Sequence, residues 1–555
     1  MLMSRLTAAV LLTVSHAALA QQPVDAGAQI QQIPPAPVPP RPAAAIPTIA
    51  PPAVAAAAEP AGPTTRVTSL RLTGQTLFSE AELIAASGFV PNSDLDLGQL
   101  RAIAAKIAAY YNERGYFLAQ AYLPAQDITD GGVAIAVIEG RYGKIELRNN
   151  SRLADRVARG ILSGIDSGDI AATAPLERRL LLLSDVPGIV VKSTLSPGAA
   201  PGTSDLLVDI ENGDRVNGSV EADNAGNRYT GAYRFGSTVY FNNPTGNGDL
   251  ISLRGLVSTS GLSYGRAAYQ APVGKATLGV AYSHIDYDLG REFKSLDADG
   301  SADIVSLFGS YPLIRSREAN LYALVGVDAK WFEDRFGAAG LVSRRRAKVL
   351  TFGLAGDNHD DIGGGGWNAY SIGASLGDLD IRTPADYALD QLTARSHGNF
   401  GKVQASVARL QTISGPLSLY GAVRGQLASK NLDSSEKMEL GGAYAVRAYP
   451  EGEAYGDEGY LATLEARYLF PGTSPLPGQL QAIAFVDVGA VRYAENPWFT
   501  GSNSAHRSGY GAGLIWTAPN DFIVKGTYAR KLGSQDATSA PDRDGRFWFQ
   551  VAKLF

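Results

Sequence analysis

The chain has 555 residues, a formal net charge of −5 and no cysteine. This length exceeds what one hydrophobic core usually supports, so we expect more than one domain. The lack of cysteine excludes disulfides and thiolate metal sites, and the mildly acidic balance argues against a nucleic-acid-binding protein. Glycine (62) and tyrosine (25) are abundant while only 19% of residues are charged, a mixture typical of turn-rich antiparallel β structure.

The first 20 residues, MLMSRLTAAVLLTVSHAALA, have the pattern of a secretory signal peptide. Arg5 supplies the positive start, residues 6–14 are apolar, and the AxA pattern ending at Ala20 is a cleavage site. A signal anchor is the alternative, but the apolar run is short for one. No later run of 18 or more apolar residues occurs, which leaves a periplasmic, released or outer-membrane barrel protein.

Residues 21–63 are rich in proline and alanine, as in QQIPPAPVPPRPAAAIPTIAPPAVAAAAEPAGP. Proline fixes φ and removes a backbone donor, and this composition cannot build a core. The sequence therefore predicts an extended linker or tail in this segment.

Residues 64–140 have the pattern of one mixed module. VTSLRLTG alternates as a short strand, and SEAEL begins a helix with Ser79 as N-cap and Glu82 completing a capping box. A second helix, LGQLRAIAAKIAAYYNERG, carries apolar residues at helical spacing and ends at Gly115. FLAQAYLP and VAIAVIEG follow as strands on either side of a turn at residues 130–132. The predicted order is β-α-α-β-β.

The same order recurs over residues 141–211. GKIEL is a predicted strand, LADRVARGIL and APLERRLLLLSDVPG are predicted helices, and VVKSTL and DLLVDIE are predicted strands. The sequence thus predicts two α+β modules of about 75 residues each, which is an internal repeat.

From residue 212 to residue 555 helical periodicity fades and short alternating segments replace it. LSLYGAVRGQL (residues 417–427) is one example, and FWFQVAKLF closes the chain at Phe555. Apolar-out, polar-in alternation with aromatic ends suits a transmembrane barrel, because closure leaves no unpaired backbone in lipid. At roughly 20 residues per strand and loop, the segment predicts about 16 antiparallel strands. A soluble sandwich would leave the tyrosines and long polar loops without a role.

Several stretches resemble the outer-membrane transporter of two-partner secretion systems, of the haemolysin/haemagglutinin activation-secretion type in the superfamily with POTRA domains and a barrel. They are PAQDITDGGVAIAVIEGRYGKIEL, LLLLSDVPG followed by SPGAAPGTSDLLVDIE, DNAGNRYTGAYR, NNPTGNGDLISLRG, LGGAYAVRAYPEGEAYGDEGYL and FVDVGAV. The resemblance covers residues 64–555 with its motifs in the expected order. It implies a first POTRA domain at 64–140, a second at 141–211 and an outer-membrane barrel at 212–555.

One of these stretches, residues 440–461, is a polar segment punctuated by glycines. In the family it resembles, this loop folds back into the barrel lumen, and its Arg pairs with the Asp of an F-x-D strand motif. The implied pair here is Arg447 with Asp487, since an Arg–carboxylate fork gains charge and geometric complementarity in a narrow, wet lumen. The residues implied in the pore loop and its gating are Arg447, Tyr449, Asp487, Gly442, Gly452 and Phe485.

The loop departs from the family pattern at Ala448, where the family usually has glycine. Alanine disfavours a positive φ by about 1 kcal/mol or more relative to glycine. If this position needs such a conformation, we expect the loop to be strained or shifted.

The resemblance implies that the protein secretes, and in some members also activates, one large exoprotein across the outer membrane of a Gram-negative bacterium. The POTRA domains would lie in the periplasm and capture the unfolded partner by adding it as a strand to an exposed sheet edge. No G-x-x-x-x-G-K-[ST] nucleotide motif occurs, so movement would be passive. Candidate contacts for the exoprotein are Phe117, Ala119, Ala121, Leu123, Ile107 and Tyr111.

The implied partners, besides the exoprotein, are outer-membrane lipid and the barrel assembly machinery, which would bind the C-terminal strand ending at Phe555. We expect a monomer that binds no nucleic acid. The main alternative function is an insertase of the same superfamily that assembles other outer-membrane proteins. Such insertases typically carry more POTRA domains than the two predicted here. A passive porin would explain the barrel but not residues 64–211.

An enzyme is the remaining alternative. GLSYG (residues 261–265) matches G-x-S-x-G, but a nucleophile elbow needs a helix after the serine, and RAAYQAPVG lacks helical periodicity. The histidines after the signal peptide are scattered, and DNHDD (residues 357–361) fits a solvated loop better than a cation site. We therefore expect no catalytic residue, no metal and no cofactor.

Overall fold

The computed structural model describes residues 25–35, 62–128, 130–472, 477–518 and 521–555. The predicted signal peptide and most of the predicted linker lie outside this described part. The described chain forms a short helix α1 (Ala26–Gln31), two mixed modules and a closed barrel. No helix among the described residues is long and apolar enough to cross a membrane.

The first module has the predicted β-α-α-β-β order, with a small extra strand pair. Its elements are β1 (Thr65–Val67), β2 (Ser69–Thr73), α2 (Glu80–Ser87), β3 (Ser93–Leu95), α3 (Leu97–Glu113), β4 (Gln120–Tyr122) and β5 (Gly132–Ile138). The sheet order is β2-β5-β4, so β4 lies at one edge. The helices bury their apolar stripes on one face of this sheet, as the spacing predicts.

The capping box predicted at Ser79 and Glu82 is only half present. Ser79 Oγ accepts a hydrogen bond from the Glu82 backbone N–H at 3.3 Å. The Glu82 carboxylate does not reach back to the N-cap; it accepts the hydroxyl of Tyr110 on α3 instead. A complete capping box occurs at the start of α3, between Asp96 and Gln99. The tertiary contact with α3 therefore overrides the local motif.

A buried carboxylate joins α3 to the end of β5. Glu139 accepts hydrogen bonds from the backbone N–H of Thr76 at 2.5 Å, from that of Leu77 at 2.8 Å and from the Tyr111 hydroxyl at 3.0 Å. Burial alone would raise the pKa of Glu139, but the hydrogen bonds from Thr76, Leu77 and Tyr111 outweigh it and lower the pKa.

Replacing Glu139 by glutamine is expected to destabilise the first module at neutral pH by about 1–3 kcal/mol, because donors lose a charged acceptor. The pKa of Glu139 is lower in the folded protein than in the unfolded chain. The carboxylate's contribution to the free energy of unfolding is therefore complete above its ordinary pKa and is lost as the pH falls through the folded-state pKa. Hydrogen–deuterium exchange of the full-length protein should show faster exchange in α3 and β5 at pH 7. The difference from the unsubstituted protein should shrink in acid, and Glu113→Gln on the exposed face of α3 should have no effect.

The second module repeats the same order and packs against the first. Its elements are β6 (Arg141–Asn149), α4 (Asp155–Leu162), α5 (Thr173–Ser184), β7 (Ile189–Pro197) and β8 (Thr203–Asn212). The sheet order is β6-β8-β7, with β6 and β8 parallel. Phe117 and Leu118 of the first module pack against the core of the second, which joins the two modules.

The barrel is a closed ring of 16 antiparallel strands, which confirms the predicted number. Its strands are β9 (Val216–Asp223), β10 (Arg234–Asn242), β11 (Leu250–Ser258), β12 (Leu262–Val273), β13 (Ala276–Asp288), β14 (Ala298–Arg315), β15 (Ala319–Phe336), β16 (Leu341–Asp360), β17 (Gly366–Ile381), β18 (Gly398–Ser414), β19 (Leu417–Ala428), β22 (Glu458–Leu469), β23 (Gln479–Arg492), β24 (Ser504–Ala518), β25 (Phe522–Lys531) and β26 (Gly545–Leu554). Strand β26 pairs with β9 to close the ring.

The connections between strands hold the remaining elements. They are α6 (Pro384–Leu392), the short strands β20 (Met438–Glu439) and β21 (Tyr455–Gly456), and the 3-10 turns Arg291–Leu296, Gly337–Ala339 and Ser434–Glu436. Along the barrel strands, exposed apolar side chains alternate with buried small or polar ones. On β13, for example, Val280 and Tyr282 are exposed while Ala281 and Ser283 are buried. This inverted burial is the pattern of a wall with lipid outside and a filled lumen inside.

The second module is fixed to one end of the barrel. The guanidinium of Arg315, at the end of β14, donates to both oxygens of Asp185 at 2.7 and 2.8 Å. Arg178 on α5 donates to the carbonyls of Pro312 and Leu313 at 2.7 and 3.0 Å. Bidentate and charge-assisted contacts of this kind fix orientation as well as distance. The turns at this end of the barrel therefore face the second module.

Candidate functional site in the barrel lumen

The connection between β19 and β22, residues 429–457, folds into the lumen and is called the lumen loop below. Its strands β20 and β21 pair as a small antiparallel ribbon inside the barrel. Gly442 has φ +112°, and a Cβ there would collide with the Glu451 carboxyl group. Gly452 has φ +81°, and a Cβ there would lie 2.8 Å from Asn227 Nδ2. Both glycines are needed for the chain to turn in this crowded space.

The structure brings Arg447 and Asp487 together. Arg447 Nε lies 2.8 Å from Asp487 Oδ2, and its Nη2 lies 2.7 Å from Oδ1. The Arg447 backbone N–H also donates to Asp487 at 3.1 Å. Asp487 stands on β23 and is fully buried. The contact is thus a bidentate fork between the tip of the lumen loop and the barrel wall.

The wall supplies a second carboxylate that the sequence analysis missed. Glu465 on β22 accepts Arg447 Nη1 at 2.8 Å and is itself held by Arg467 at 2.6 Å. Thr463, two residues earlier on the same lumen face, donates to Asp487 at 3.0 Å. Thr463 and Glu465 are two residues apart on β22, and this spacing could have indicated that they share one face of the strand. Which residue of β23 lies opposite them is set only by the pairing of the two strands, which places Thr463 opposite Asp487.

Phe485 and Trp548 complete the surroundings of Arg447. The guanidinium carbon lies 3.4 Å from the centroid of the Phe485 ring, close enough for a cation–π contact. The Trp548 indole N–H donates to the Arg447 carbonyl at 2.7 Å. Side chains from β22, β23 and β26 therefore hold this one residue, and each of the contacts is polar or cationic.

Tyr449 anchors the loop on the other side. Its ring is fully buried, and its hydroxyl donates to the Gln535 carbonyl at 3.0 Å. Beside it, Arg507 pairs with Glu453 of the loop at 2.5 Å. Glu453 also accepts the backbone N–H of Thr538 at 2.7 Å. The loop is thus tied both to the wall and to the connection between β25 and β26.

Ala448 is accommodated without the strain that we expected. It is not among the described residues with positive φ, so alanine carries no backbone penalty there. The methyl group is fully buried and faces Gly509 on β24, where an added Cβ would lie 2.5 Å from that of Ala448. The absent side chain at Gly509 makes room for the methyl group at Ala448.

Replacing Gly509 by alanine is therefore expected to destabilise the folded barrel by about 1–3 kcal/mol through overpacking. The double variant Ala448→Gly with Gly509→Ala should recover most of this loss, because the two methyl groups no longer compete. Thermal unfolding of the purified protein in detergent measures both effects. Gly255→Ala is a matched control, since a Cβ there meets open space. A double variant no more stable than Gly509→Ala alone would contradict this account.

Helix α1 lies inside the barrel, so the prediction of an extended linker over residues 21–63 is wrong for residues 26–31. Ala26 and Gln29 are fully buried, and the helix contacts β13, β14 and β15. Asp25 caps the helix by accepting the Ala28 N–H at 2.8 Å. Six residues would not form a stable helix in water, so the contacts with the barrel must supply its stability.

Arg345 on β16 holds this lumen helix to the wall and to the lumen loop at once. Its Nη2 lies 3.0 Å from Asp25 and 2.9 Å from Asp334, and its Nη1 lies 2.6 Å from Asp433 of the loop. The Ala26 backbone N–H donates to Asp334 at 2.9 Å. One largely buried cation therefore connects three carboxylates from three different elements.

A cavity of about 700 Å³ lies beside the loop tip and extends toward the modules. It reaches Tyr322 and Asp357, near the strand ends that face the second module. Its polar lining includes Arg424, Arg447, Glu465, Arg467 and Lys525. The lumen thus holds a cavity with several charged side chains on the module side, next to the lumen helix and loop.

Three of the six candidate exoprotein contacts in the first module lie in its core. Ile107 and Tyr111 are fully buried in its core and Ala119 is 5% exposed, so these three assignments are wrong. Phe117 packs against the second module. Ala121 and Leu123 are half-buried against the first module's core. Apolar residues at helical or alternating spacing were core positions, because a module this small needs nearly all of them to bury its sheet.

The described residues contain no group of three or more His, Asp or Glu side chains that could hold a metal ion. Ser263 of the GLSYG stretch lies near the start of β12, which continues as a strand to Val273. The helix required after a nucleophile elbow is therefore replaced by a barrel strand.

Two family models match the chain. The model described as haemolysin secretion/activation protein ShlB/FhaC/HecB matches residues 202–514, and the model of the ShlB-type POTRA domain matches residues 65–140. Among curated proteins, the heme/hemopexin transporter protein HuxB of Haemophilus influenzae is 28% identical over 89% of this chain and 87% of its own length. The outer membrane transporter CdiB of Dickeya dadantii is 25% identical over 77% and 76%, respectively.

Solved structures share the fold. CdiB from Escherichia coli superimposes with a TM-score of 0.70 at 21% identity, covering 92% of this chain and 93% of that one. BamA from Haemophilus ducreyi superimposes less closely, with a TM-score of 0.52 at 15% identity. Because the first family model spans more than half of the sequence, the chain belongs to the ShlB/FhaC/HecB family of haemolysin secretion/activation proteins, and it is an outer-membrane barrel with periplasmic POTRA structure.

Proposed function

We propose that the protein carries one large exoprotein, unfolded, from the periplasm through its barrel to the cell surface, as the transporter of a two-partner secretion system. Family membership supports the class of function, since the named relatives are transporters. The observation that carries the proposal is the content of the lumen. A separate helix and a loop fill it. Besides apolar packing against the wall, ion pairs and hydrogen bonds attach both elements, and water or a passing chain can replace these polar contacts.

The lumen loop and the lumen helix are the gate in this proposal. Arg447, with Asp487 and Phe485, fixes the loop tip, while Tyr449, Gly442 and Gly452 shape its path. Moving either element would extend the cavity beyond the loop tip toward the cell surface. A passive porin would need neither element, and the insertase alternative would not need a continuous passage through the lumen.

Capture of the exoprotein is proposed at the free edge of β7 in the second module. This strand spans Ile189–Pro197 and pairs only with β8 among the described strands. Val190 is 42% exposed, and Lys192 and Thr194 are also exposed. An extended chain could add to this edge through backbone hydrogen bonds. The edge strand β4 is a weaker candidate, because it has three residues.

We further assign two POTRA domains to residues 64–140 and 141–211, and we propose that the protein acts as a monomer. The barrel assembly machinery would recognise the C-terminal strand. In the folded barrel, the carbonyl of Phe555 accepts the Gly218 N–H at 2.8 Å, which adds to the closing seam between β26 and β9.

Quantitative mass spectrometry of culture supernatant, cell surface and outer membrane tests the function. The strains compared are the wild type, a deletion and Arg447→Ala. Loss of one large exoprotein, with the outer membrane otherwise unchanged, is the expected result and identifies the partner. Depletion of many different barrel proteins would instead establish an insertase and overturn the proposal.

A further inference from the structure

The cavity beside the loop tip is lined by two cations that have no counter-ion among the described residues. They are Lys525 on β25 and Arg424 on β19. Neither side chain has a carboxylate within ion-pair distance in the described part of the chain. Arg424 donates instead to the carbonyl of Tyr444 in the lumen loop, at 3.4 Å. Lys525 and Arg424 are called the cavity cations below.

Strand pairing does not supply the missing carboxylates. The residues in register with the cavity cations on the neighbouring strands are all uncharged: Ile515 and Gln550 beside Lys525, and Ser406 and Leu461 beside Arg424. Glu439 and Glu451 of the lumen loop act electrostatically on Arg424, but both lie beyond ion-pair distance. The wall around the cavity cations therefore leaves their charges uncompensated.

The carboxylates near Lys525 are already engaged by other cations. Glu465 and Asp487 both act electrostatically on Lys525. Arg447 holds these two carboxylates at 2.8 and 2.7 Å, and Arg467 shares Glu465 at 2.6 Å. Three cations thus face two carboxylates at the loop-tip end of the cavity, which leaves an excess of one positive charge. The second cavity cation adds to this excess.

This excess of positive charge points to an anionic ligand. A charge without a partner is costly to keep away from bulk water, and a cleft with low-dielectric walls focuses its field. Apart from Glu465, the carboxylate that lines the cavity is Asp357, which accepts a hydrogen bond from Asn320 at 3.0 Å. An anion from the module side therefore passes one carboxylate and then meets the cavity cations.

The size of the cavity favours a polypeptide over a free inorganic anion. Its volume is about 700 Å³, which corresponds to roughly 20 water molecules, so a single small anion would leave most of it unfilled. Tyr370, Tyr420 and Tyr444 also line it, and each presents both an apolar ring and a hydroxyl. The cavity therefore suits several residues of an extended chain, with acidic side chains at the loop-tip end.

We propose that the cavity cations bind aspartate and glutamate side chains of the extended polypeptide that enters the barrel. This inference rests on the proposed function and adds the chemical class of the segment that the cavity takes, an acidic stretch. Its carboxylates accept hydrogen bonds from the Lys525 ammonium group and the Arg424 guanidinium group. The acidic stretch is thus held beside Arg447 while the loop tip still lies against the wall.

Fluorescence anisotropy of labelled peptides with the purified full-length protein in detergent tests this proposal. The probes are short glycine–serine peptides that carry either glutamate or glutamine at the same positions. The glutamate peptide should bind the unsubstituted protein about tenfold or more tightly than the glutamine peptide, because charge-assisted contacts contribute at least this much. Arg424→Gln/Lys525→Gln should bind the glutamate peptide about tenfold or more weakly, with its binding of the glutamine peptide unchanged.

Two controls make the result specific. Arg71→Gln/Lys106→Gln removes the same charge from exposed positions of the first module and should bind the glutamate peptide like the unsubstituted protein. Arg424→Lys/Lys525→Arg keeps both charges and should retain binding, which excludes a folding defect at these positions. Equal binding by the glutamine variant, equal binding of the two peptides, or displacement of the glutamate peptide by equimolar acetate would each overturn the proposal.

The deletion strain separates this binding site from the transport function. Broad depletion of barrel proteins in that strain would overturn the transport function, while glutamate-dependent peptide binding would still support the site. Loss of one large exoprotein in that strain, together with unchanged peptide binding by Arg424→Gln/Lys525→Gln, would overturn the site alone.

Discussion

Replacing Arg447 by alanine is expected to lower the secreted exoprotein about tenfold or more, while the amount of transporter in the outer membrane stays unchanged. The substitution leaves the carboxylates of Asp487 and Glu465 buried without their shared cation. Breaking such a buried pair typically costs about 3–5 kcal/mol, so we expect the loop tip to leave its position against the wall. Exoprotein in the supernatant, divided by transporter in the outer membrane, is the quantity to measure.

The partner residue gives the matching test. Asp487→Ala should reduce secretion to a similar extent, because Arg447 then keeps only Glu465 as a counter-ion. The exchange Arg447→Asp/Asp487→Arg should restore secretion only in part, since Glu465 would repel an aspartate at the loop tip. Arg530→Ala is the control, because its pair with Asp544 spans 3.9 Å and is exposed. Full secretion by either single variant would show that the pair does not hold the gate.

Replacing Arg345 by alanine is expected to open the channel. The side chain connects Asp25 of the lumen helix, Asp334 of the wall and Asp433 of the lumen loop. Without it three carboxylates face one another in a buried site, at a cost of about 3–5 kcal/mol. Displacing the lumen helix relieves that repulsion, so the open fraction should rise about 100-fold or more. Single-channel conductance in planar bilayers measures the open fraction directly.

A smaller change separates the helix from the rest of the cluster. Asp25→Asn removes the charge of the lumen helix and leaves Arg345 with Asp334 and Asp433, so it should open the channel less often than Arg345→Ala. Glu333→Gln is the matched control, because Glu333 adjoins Asp334 on the same strand but pairs with Arg344 outside. If deletion of residues 25–35 left the channel as closed as in the unsubstituted protein, the lumen helix would not be part of the gate.

The barrel and the modules were predictable because their signals are local. Lipid outside and side chains inside impose a period of two on every wall strand, and this period is visible in single segments such as residues 417–427. Each module likewise shows its helices through apolar spacing. The loop contact between Arg447 and Asp487 was predicted by resemblance, since no local pattern relates residues 40 positions apart.

Other features were decided by contacts distant in sequence. The predicted capping box is incomplete because the Glu82 carboxylate accepts a hydrogen bond from the Tyr110 hydroxyl instead of from the N-cap backbone. Ile107, Tyr111 and Ala119 are buried core residues and do not line a binding groove. Burial depends on what packs above a residue, and a periodic pattern does not distinguish a core face from a binding face.

By itself, the sequence determined an exported chain, two α+β modules, a barrel of 16 strands and its family, because each depends on short-range periodicity or on motifs in order. Only the tertiary structure decided what fills the lumen. Helix α1 exists through contacts such as that from Ala26 to Asp334, 308 residues away, and Ala448 fits because Gly509 on a wall strand leaves room for it. A segment of six residues cannot stabilise itself, so its conformation is determined by the wall around it.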